Sequence, residues 1–311
     1  MSRIHEALKR AEEERNSNQA GAAPLPPPVV EPVMMSTPAP EMASASTAMH
    51  AESGPAARAW SYAALQDRCR RVEWNPDSTR MLFFNKHSQH DVGMEEFRTL
   101  RSRLYRIREK RNLKTILVAS ALPAEGKSFV SANLSQVLAR QHGRRVLLID
   151  GDLRWSRLHQ YLGTASEPGL TEYLKGECDE FSIIQRGPVD NLMFIPGGKS
   201  TPNPAELVAN ERFRHLVQQA SQVFDWVVLD SPPAVPVSDA GLMSQVCDGV
   251  LLVVEAVKTP YEMAQKARQE FKDRPLLGVV LNRVAPKSTY TSYYYGRYGY
   301  GRQVARVEAV E

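Results

Sequence analysis

The chain has 311 residues, 42% of them hydrophobic, with 39 Lys and Arg against 35 Asp and Glu and a formal charge of +4. That apolar share supports a sizeable buried core and excludes a wholly disordered chain, while the near balance of charge excludes a dedicated nucleic-acid-binding surface. Cys69, Cys178 and Cys247 are too few and too scattered for a disulfide framework or a CxxC metal site, and read as inert thiols in a reduced compartment.

The opening stretch "MSRIHEALKRAEEERN" has no apolar signal core, and no run of about 18 apolar residues follows, so a cytoplasmic location is expected. Residues 1–16 set Ile4, Leu8 and Ala11 on one side of a short amphipathic helix, readable as a solvated helix or as a docking helix for a partner. Residues 17–58 turn to Pro, Ala, Ser and Met, as in "PLPPPVVEP". Such a composition does not offset its ordering entropy and predicts a disordered linker. Residues 59–91 form an irregular connection. His87 and His90 in "HSQH" have no further ligand at metal spacing and read as surface residues.

From residue 92 the pattern sharpens. Met94, Phe97, Leu100 or Arg101, Leu104 and Ile107 recur at helical spacing, predicting an amphipathic helix with a charged outer face. Short, continuously apolar runs follow at 115–120, 146–150, 192–196, 226–230, 249–256 and 276–282, separated by helical stretches. Such runs suit strands covered on both faces. The expectation for residues 92–286 is an α/β domain with a doubly wound, mainly parallel sheet of the P-loop NTPase type. Residues 287–311 are a separate tail rich in tyrosine, with Tyr290, Tyr293, Tyr294, Tyr295, Tyr298 and Tyr300 spaced by Gly, Ser and Arg.

"TILVASALPAEGKSFVSANLSQVLAR" runs from strand to loop to helix and closes its loop with Gly126, Lys127 and Ser128, the last part of a phosphate-binding loop. Backbone N–H groups at the helix start wrap phosphates, Lys127 adds a point charge at the β/γ oxygens, and the Ser128 hydroxyl suits Mg²⁺. The expected nucleotide contacts are Ala124, Glu125, Gly126, Lys127, Ser128 and Phe129. The first glycine of G-x-x-x-x-G-K-[ST] is replaced by Ala121, and Ala124 stands where another glycine would ease the turn. Asp150 and Asp152 in "VLLIDGDLR" and Asp230 in "VVLDSPP" fall at strand ends, where ligands of open α/β sheets bind. Three carboxylates beside the loop imply a Mg²⁺ site.

These motifs, with "EPGLTEYLKGE", "IPGGKSTPNPAELV", "FDWVVLDSPPAVPVSDA" and the tyrosine tail in this order, resemble the bacterial tyrosine kinases of polysaccharide loci over about residues 92–302. The resemblance implies an ATP- and Mg²⁺-dependent kinase with Lys127 and Ser128 in the Walker A role, Asp150 and Asp152 in Walker A′ and Asp230 in Walker B. It places Ser128, Asp152 and Asp230 at the metal and Asn282 at the adenine, and makes Glu95, Arg98 and Arg101 an oligomerisation motif. It also implies a ring-like homo-oligomer and a separate membrane polysaccharide co-polymerase as activator, which would recruit the kinase to the inner face of the plasma membrane and supply its sole membrane contact. Lys127, Asp150 and Asp152 are the expected catalytic groups. Asp150 is the expected base, because a tyrosine hydroxyl with a pKa of about 10 arrives protonated. The tail tyrosines are the expected phosphoacceptors.

Ala124 and Phe129 depart from the family pattern and leave a catalytically weak scaffold as an alternative. A P-loop ATPase switch of the partition or division-site type shares the sheet and carboxylates, but uses water as acceptor and gains nothing from a tyrosine tail. Stacking of the tail on single-stranded nucleic acid contributes about 1–3 kcal/mol per ring. With no basic groove to track a backbone, no nucleic-acid partner is expected.

Overall fold

The computed structural model describes residues 60–84, 92–141 and 143–285. The amino-terminal helix and linker, His87 and His90, and the tyrosine tail lie outside the described residues. Helix α1 (Tyr62–Arg68) and strand β1 (Arg70–Arg71) precede a 3₁₀ turn at Leu82–Phe84 and the long helix α2 (Val92–Lys110). Then follow β2 (Thr115–Ser120), α3 (Lys127–Ala139), β3 (Val146–Asp150), α4 (Leu158–Leu162), α5 (Leu170–Lys175), α6 (Glu180–Ile183), β4 (Gln185–Arg186) and β5 (Leu192–Ile195). The chain continues through α7 (Pro204–Val208), α8 (Glu211–Val223), β6 (Trp226–Asp230), α9 (Asp239–Ser244), β7 (Gly249–Glu255), α10 (Tyr261–Glu270) and β8 (Leu276–Asn282).

The eight strands lie in the order β1-β4-β5-β3-β6-β2-β7-β8, and every neighbouring pair is parallel except β4 with β5. Each of the six apolar runs is a strand, and all six are parallel neighbours in one continuous block, β5-β3-β6-β2-β7-β8. Alternation along β2 shows why those runs are apolar throughout. Ile116 and Val118 face a layer built by Phe97 and Leu104 of α2 and Leu134 and Leu138 of α3, while Leu117 and Ala119 face one built by Phe213 and Leu216 of α8. Both faces of the sheet are covered, so each of these side chains is withdrawn from water, worth about 1.5–3 kcal/mol apiece.

Helix α3 runs through the interior, buried from Val130 to Ala139. Ser135 and Asn133 are paired there: Ser135 donates to Ser131 O at 2.8 Å, and Asn133 donates to Arg80 O and accepts from Leu82 N. Those Asn133 bonds fasten residues 80–82 to the domain. Within the segment expected as an irregular connection, the described residues 60–84 are tied into the fold. Leu65, Met81 and Phe83 are core residues, and β1 extends the sheet edge. One helix of seven residues and a strand of two leave no periodic signal to read.

Cys69, Cys178 and Cys247 are free, and Cys69 and Cys247 are buried. Burial pushes the Cys69 thiol up to about 12 and raises that of Cys247, which keeps both uncharged and inert. Among the described residues no helix is long and apolar enough to cross a membrane.

Candidate active site

The loop between β2 and α3 is braced from within. Glu125, buried, accepts from Leu122 N at 2.7 Å and from the Thr259 hydroxyl, and its carbonyl accepts from the Asn282 amide at 2.8 Å. Glu125 and Asn282, expected at the nucleotide, are committed to the shape of the loop. Gly126, with φ 96°, opens α3, and a Cβ there would stand 2.0 Å from the Asn282 amide nitrogen. Only glycine fits that approach. Ala124 takes φ 65°, the left-handed conformation its sequence position suggested. No side chain caps α3, so its first N–H groups are left for an anion.

The carboxylates meet because β3 and β6 are parallel neighbours in register, with Asp150 opposite Asp230. Gly151 lets the chain leave β3 along β6: its N–H donates to Asp230 O at 2.8 Å, and a Cβ would lie 2.7 Å from that oxygen. Asp230 accepts from Ser128 Oγ at 2.6 Å and Ser131 Oγ at 3.0 Å. Lys127 Nζ donates to Asp152 Oδ2 at 2.9 Å. Burial works to lower the Lys127 pKa, but Asp230 and Asp152 outweigh it and hold the ammonium above its usual value.

Asp150, the expected base, is enclosed by hydrogen-bond donors. It is fully buried, and its Oδ2 accepts from Ser156 Oγ, Arg157 N and Leu158 N at 2.8, 3.1 and 3.0 Å, while its Oδ1 accepts from Asp152 N. Burial and the nearby Asp230 charge push it up to about 7. With both oxygens engaged, it anchors the turn that carries Asp152. Asp152 is the carboxylate of the pair that lines the cleft, a cavity of about 500 Å³ bordered also by Gly126, Lys127, Ser128 and Trp155. Burial likewise raises Asp230, against the pull of Lys127.

The remaining expected residues sit elsewhere. Phe129 turns its ring to Phe97 of α2, with 5.8 Å between centroids, and serves packing. Glu95 and Arg98 form an ion pair along α2, and Arg101 donates to Val137 O of α3 at 3.0 Å. Ser131 and Arg154 escaped the sequence reading. Ser131 lies one turn beyond Lys127 on the buried face of α3, a spacing that was available as a signal. Arg154 grips Asp239 with two bonds of 2.8 and 3.0 Å, a partner 85 residues away that no local pattern announces.

Among the described residues no three His, Cys, Asp or Glu are arranged to enclose a metal ion. The hydroxyl and carboxylate oxygens of Ser128, Asp152 and Asp230 nevertheless suit Mg²⁺, which keeps waters and shares phosphate oxygens instead of requiring a protein cage.

A braced loop opening a buried helix, a lysine at the cleft and carboxylates on adjacent parallel strands define a P-loop nucleotide-binding domain. Residues 116–305 match the model of the CobQ/CobB/MinD/ParA nucleotide binding domain. The tyrosine-protein kinase YwqD of Bacillus subtilis (strain 168) is 35% identical over 206 residues, covering 65% of this chain and 86% of YwqD. The tyrosine-protein kinase ptk of Acinetobacter johnsonii is 34% identical over 200 residues, covering 64% of this chain but 27% of ptk. Among solved structures, the kinase domain of the Escherichia coli tyrosine kinase ETK matches with a TM-score of 0.58 at 30% identity, over 63% of this chain and 79% of that one. The chain belongs to the bacterial tyrosine-protein kinases within this nucleotide-binding family.

Proposed function

We propose that the protein is an ATP-dependent tyrosine autokinase whose acceptors are Tyr290, Tyr293, Tyr294, Tyr295, Tyr298 and Tyr300, presented by one subunit to the cleft of another. The observation that carries this reading is the joining of Lys127 to Asp152 and of Ser128 to Asp230 at one cleft, in a chain that also holds six clustered tyrosines. Phosphate oxygens draw Lys127 from Asp152 and leave that carboxylate free beside the reacting atoms. The tyrosyl oxygen bonds to the γ-phosphorus, the bond from phosphorus to the bridging oxygen breaks and ADP leaves, and the tyrosyl proton passes to Asp152. Positioning and charge supply most of phosphoryl-transfer catalysis, and Lys127 and the α3 N–H groups provide both. Ser128 and Asp230, with Asp152 through water, would hold Mg²⁺, which would neutralise charge on the β/γ oxygens.

Each phosphate adds about −1.5 to −2 charge, so several reverse the contribution of Arg297, Arg302 and Arg306 and make tails repel. The reading therefore includes a ring-like homo-oligomer, held partly by Glu95, Arg98 and Arg101, that loosens on phosphorylation. It further includes control of exopolysaccharide or capsule polymerisation or export, with a membrane co-polymerase that activates the kinase and recruits it to the inner face of the plasma membrane. Supplying ATP labelled at the γ position tests the chemistry: label retained on tyrosine supports a kinase, and label released wholly as free phosphate indicates an ATPase switch. Light scattering on an Arg98→Ala, Arg101→Ala variant tests the ring, which should fall to smaller species; an unchanged assembly excludes that interface.

A further inference from the structure

Trp155 is 72% exposed although it borders the cleft, whereas Trp60, Trp74 and Trp226 are buried. Its backbone N–H donates to Asp152 Oδ1 at 3.0 Å, and the other oxygen of that carboxylate accepts from Lys127 Nζ at 2.9 Å. One carboxylate thus joins the Trp155 backbone to Lys127, the lysine expected at the β/γ phosphates. The Arg157 guanidinium lies 5.8 Å from the indole ring, and Tyr161, Pro232 and Pro236 border the same cavity. A large aromatic surface left in water at a cleft, among prolines and a second ring, has the make-up of a contact surface that a partner ring covers.

We infer that Trp155 is the platform on which the ring of the incoming acceptor tyrosine stacks, forming a tyrosine subsite within the cleft. This inference rests on the kinase reading and adds the residue that selects an aromatic acceptor. Position distinguishes the acceptor from the nucleobase. The base of ATP lies a ribose and two further phosphates away from the γ-phosphorus, whereas the acceptor ring is one C–O bond from the attacking oxygen. Aromatic rings pair with centroids about 4.5–7 Å apart, and Trp155 and Asp152 line the same cleft, so a tyrosine stacked on the indole enters the cleft that holds this carboxylate. Gly296, Gly299 and Gly301 flank the tail tyrosines with no side chains, so a ring can enter with little beside it.

The test uses the full-length chain with Tyr290, Tyr293, Tyr294, Tyr295, Tyr298 and Tyr300 replaced by Ser, so that its own tail does not compete. A synthetic peptide of residues 291–303 is the acceptor. Trp155→Ala should raise the KM for the peptide on the order of tenfold while the Kd for ADP·Mg²⁺ stays within about twofold, and Trp155→Phe should restore the KM. With ADP·Mg²⁺ bound, adding the peptide should also quench the fluorescence of the exposed indole, and this quench should vanish in Trp155→Ala. Weakened ADP binding with an unchanged peptide KM, or two unchanged constants, would overturn the subsite. If the protein retaining Trp155 transfers no phosphate to the peptide, the kinase reading fails, and the quench alone decides whether the peptide docks on Trp155; its absence then overturns the subsite as well.

Discussion

The two walls of the cleft are built on opposite terms. On the phosphate wall, Lys127, Ser128 and Asp152 are hydrogen-bonded within the chain, and behind them the buried Glu125, Asp150 and Asp230 are hydrogen-bonded as well. On the other wall, Trp155 stands in solvent with Arg157 beside it. A buried charge without a partner costs several kcal/mol, so the first wall holds its shape through mutual satisfaction. Exposed rings carry no such demand and are free to meet a variable partner. Phosphate is the same in every catalytic cycle, while the acceptor changes from one tyrosine to the next, and the walls differ accordingly.

The sharpest way to break this comparison is within the phosphate wall. Asp152→Asn should lower phosphoryl transfer by about 10²–10⁴-fold, the range of a lost proton acceptor, whereas Asp150→Asn, acting through the turn it anchors, should cost less. Steady-state transfer to the peptide measures both, and the reverse order would restore Asp150 as the base. A smaller effect is structural. Gly126→Ala forces a Cβ into the Asn282 amide at φ 96° and should destabilise the fold by about 2 kcal/mol. Ala124→Gly relieves φ 65° and should stabilise it by about 0.5–1 kcal/mol. Urea unfolding reads both changes, and equal signs would contradict the strain assigned to the loop.

The smallest expected effect is on pH dependence. Asp150 is pushed up to about 7, while an unfolded Asp titrates near 3.9, so between those values the folded chain holds a proton that the unfolded chain has lost. Unfolding then releases a proton, and stability falls as pH rises through that window. The thermal midpoint should decline from about pH 4 to about pH 7, and decline less in Asp150→Asn. Identical slopes would show that Asp150 does not titrate there.

What the sequence revealed follows the same division. Continuous apolar runs mark a sheet covered on both faces, and carboxylates at the ends of such runs converge because parallel strands end together. Asp150, Asp152 and Asp230 were legible for that reason. Their division of labour was not, since the donors that occupy Asp150 come from Ser156 and the backbone of Arg157 and Leu158, in a turn whose course only the fold fixes. Glu125 and Asn282 are legible as nucleotide contacts from the motif and the resemblance, but the bond between them, which spans 157 residues and braces the loop, is fixed only by the fold. Residues 60–84 show no periodicity because Leu65, Met81 and Phe83 anchor them singly.

Phosphopeptide mapping of the wild type and of Lys127→Met, each purified and incubated with ATP and Mg²⁺, tests the central claim most directly. The account predicts phosphotyrosine among Tyr290, Tyr293, Tyr294, Tyr295, Tyr298 and Tyr300 in the wild type, and none in the variant. An unmodified tail with free phosphate released, or the same modification in both proteins, would contradict it.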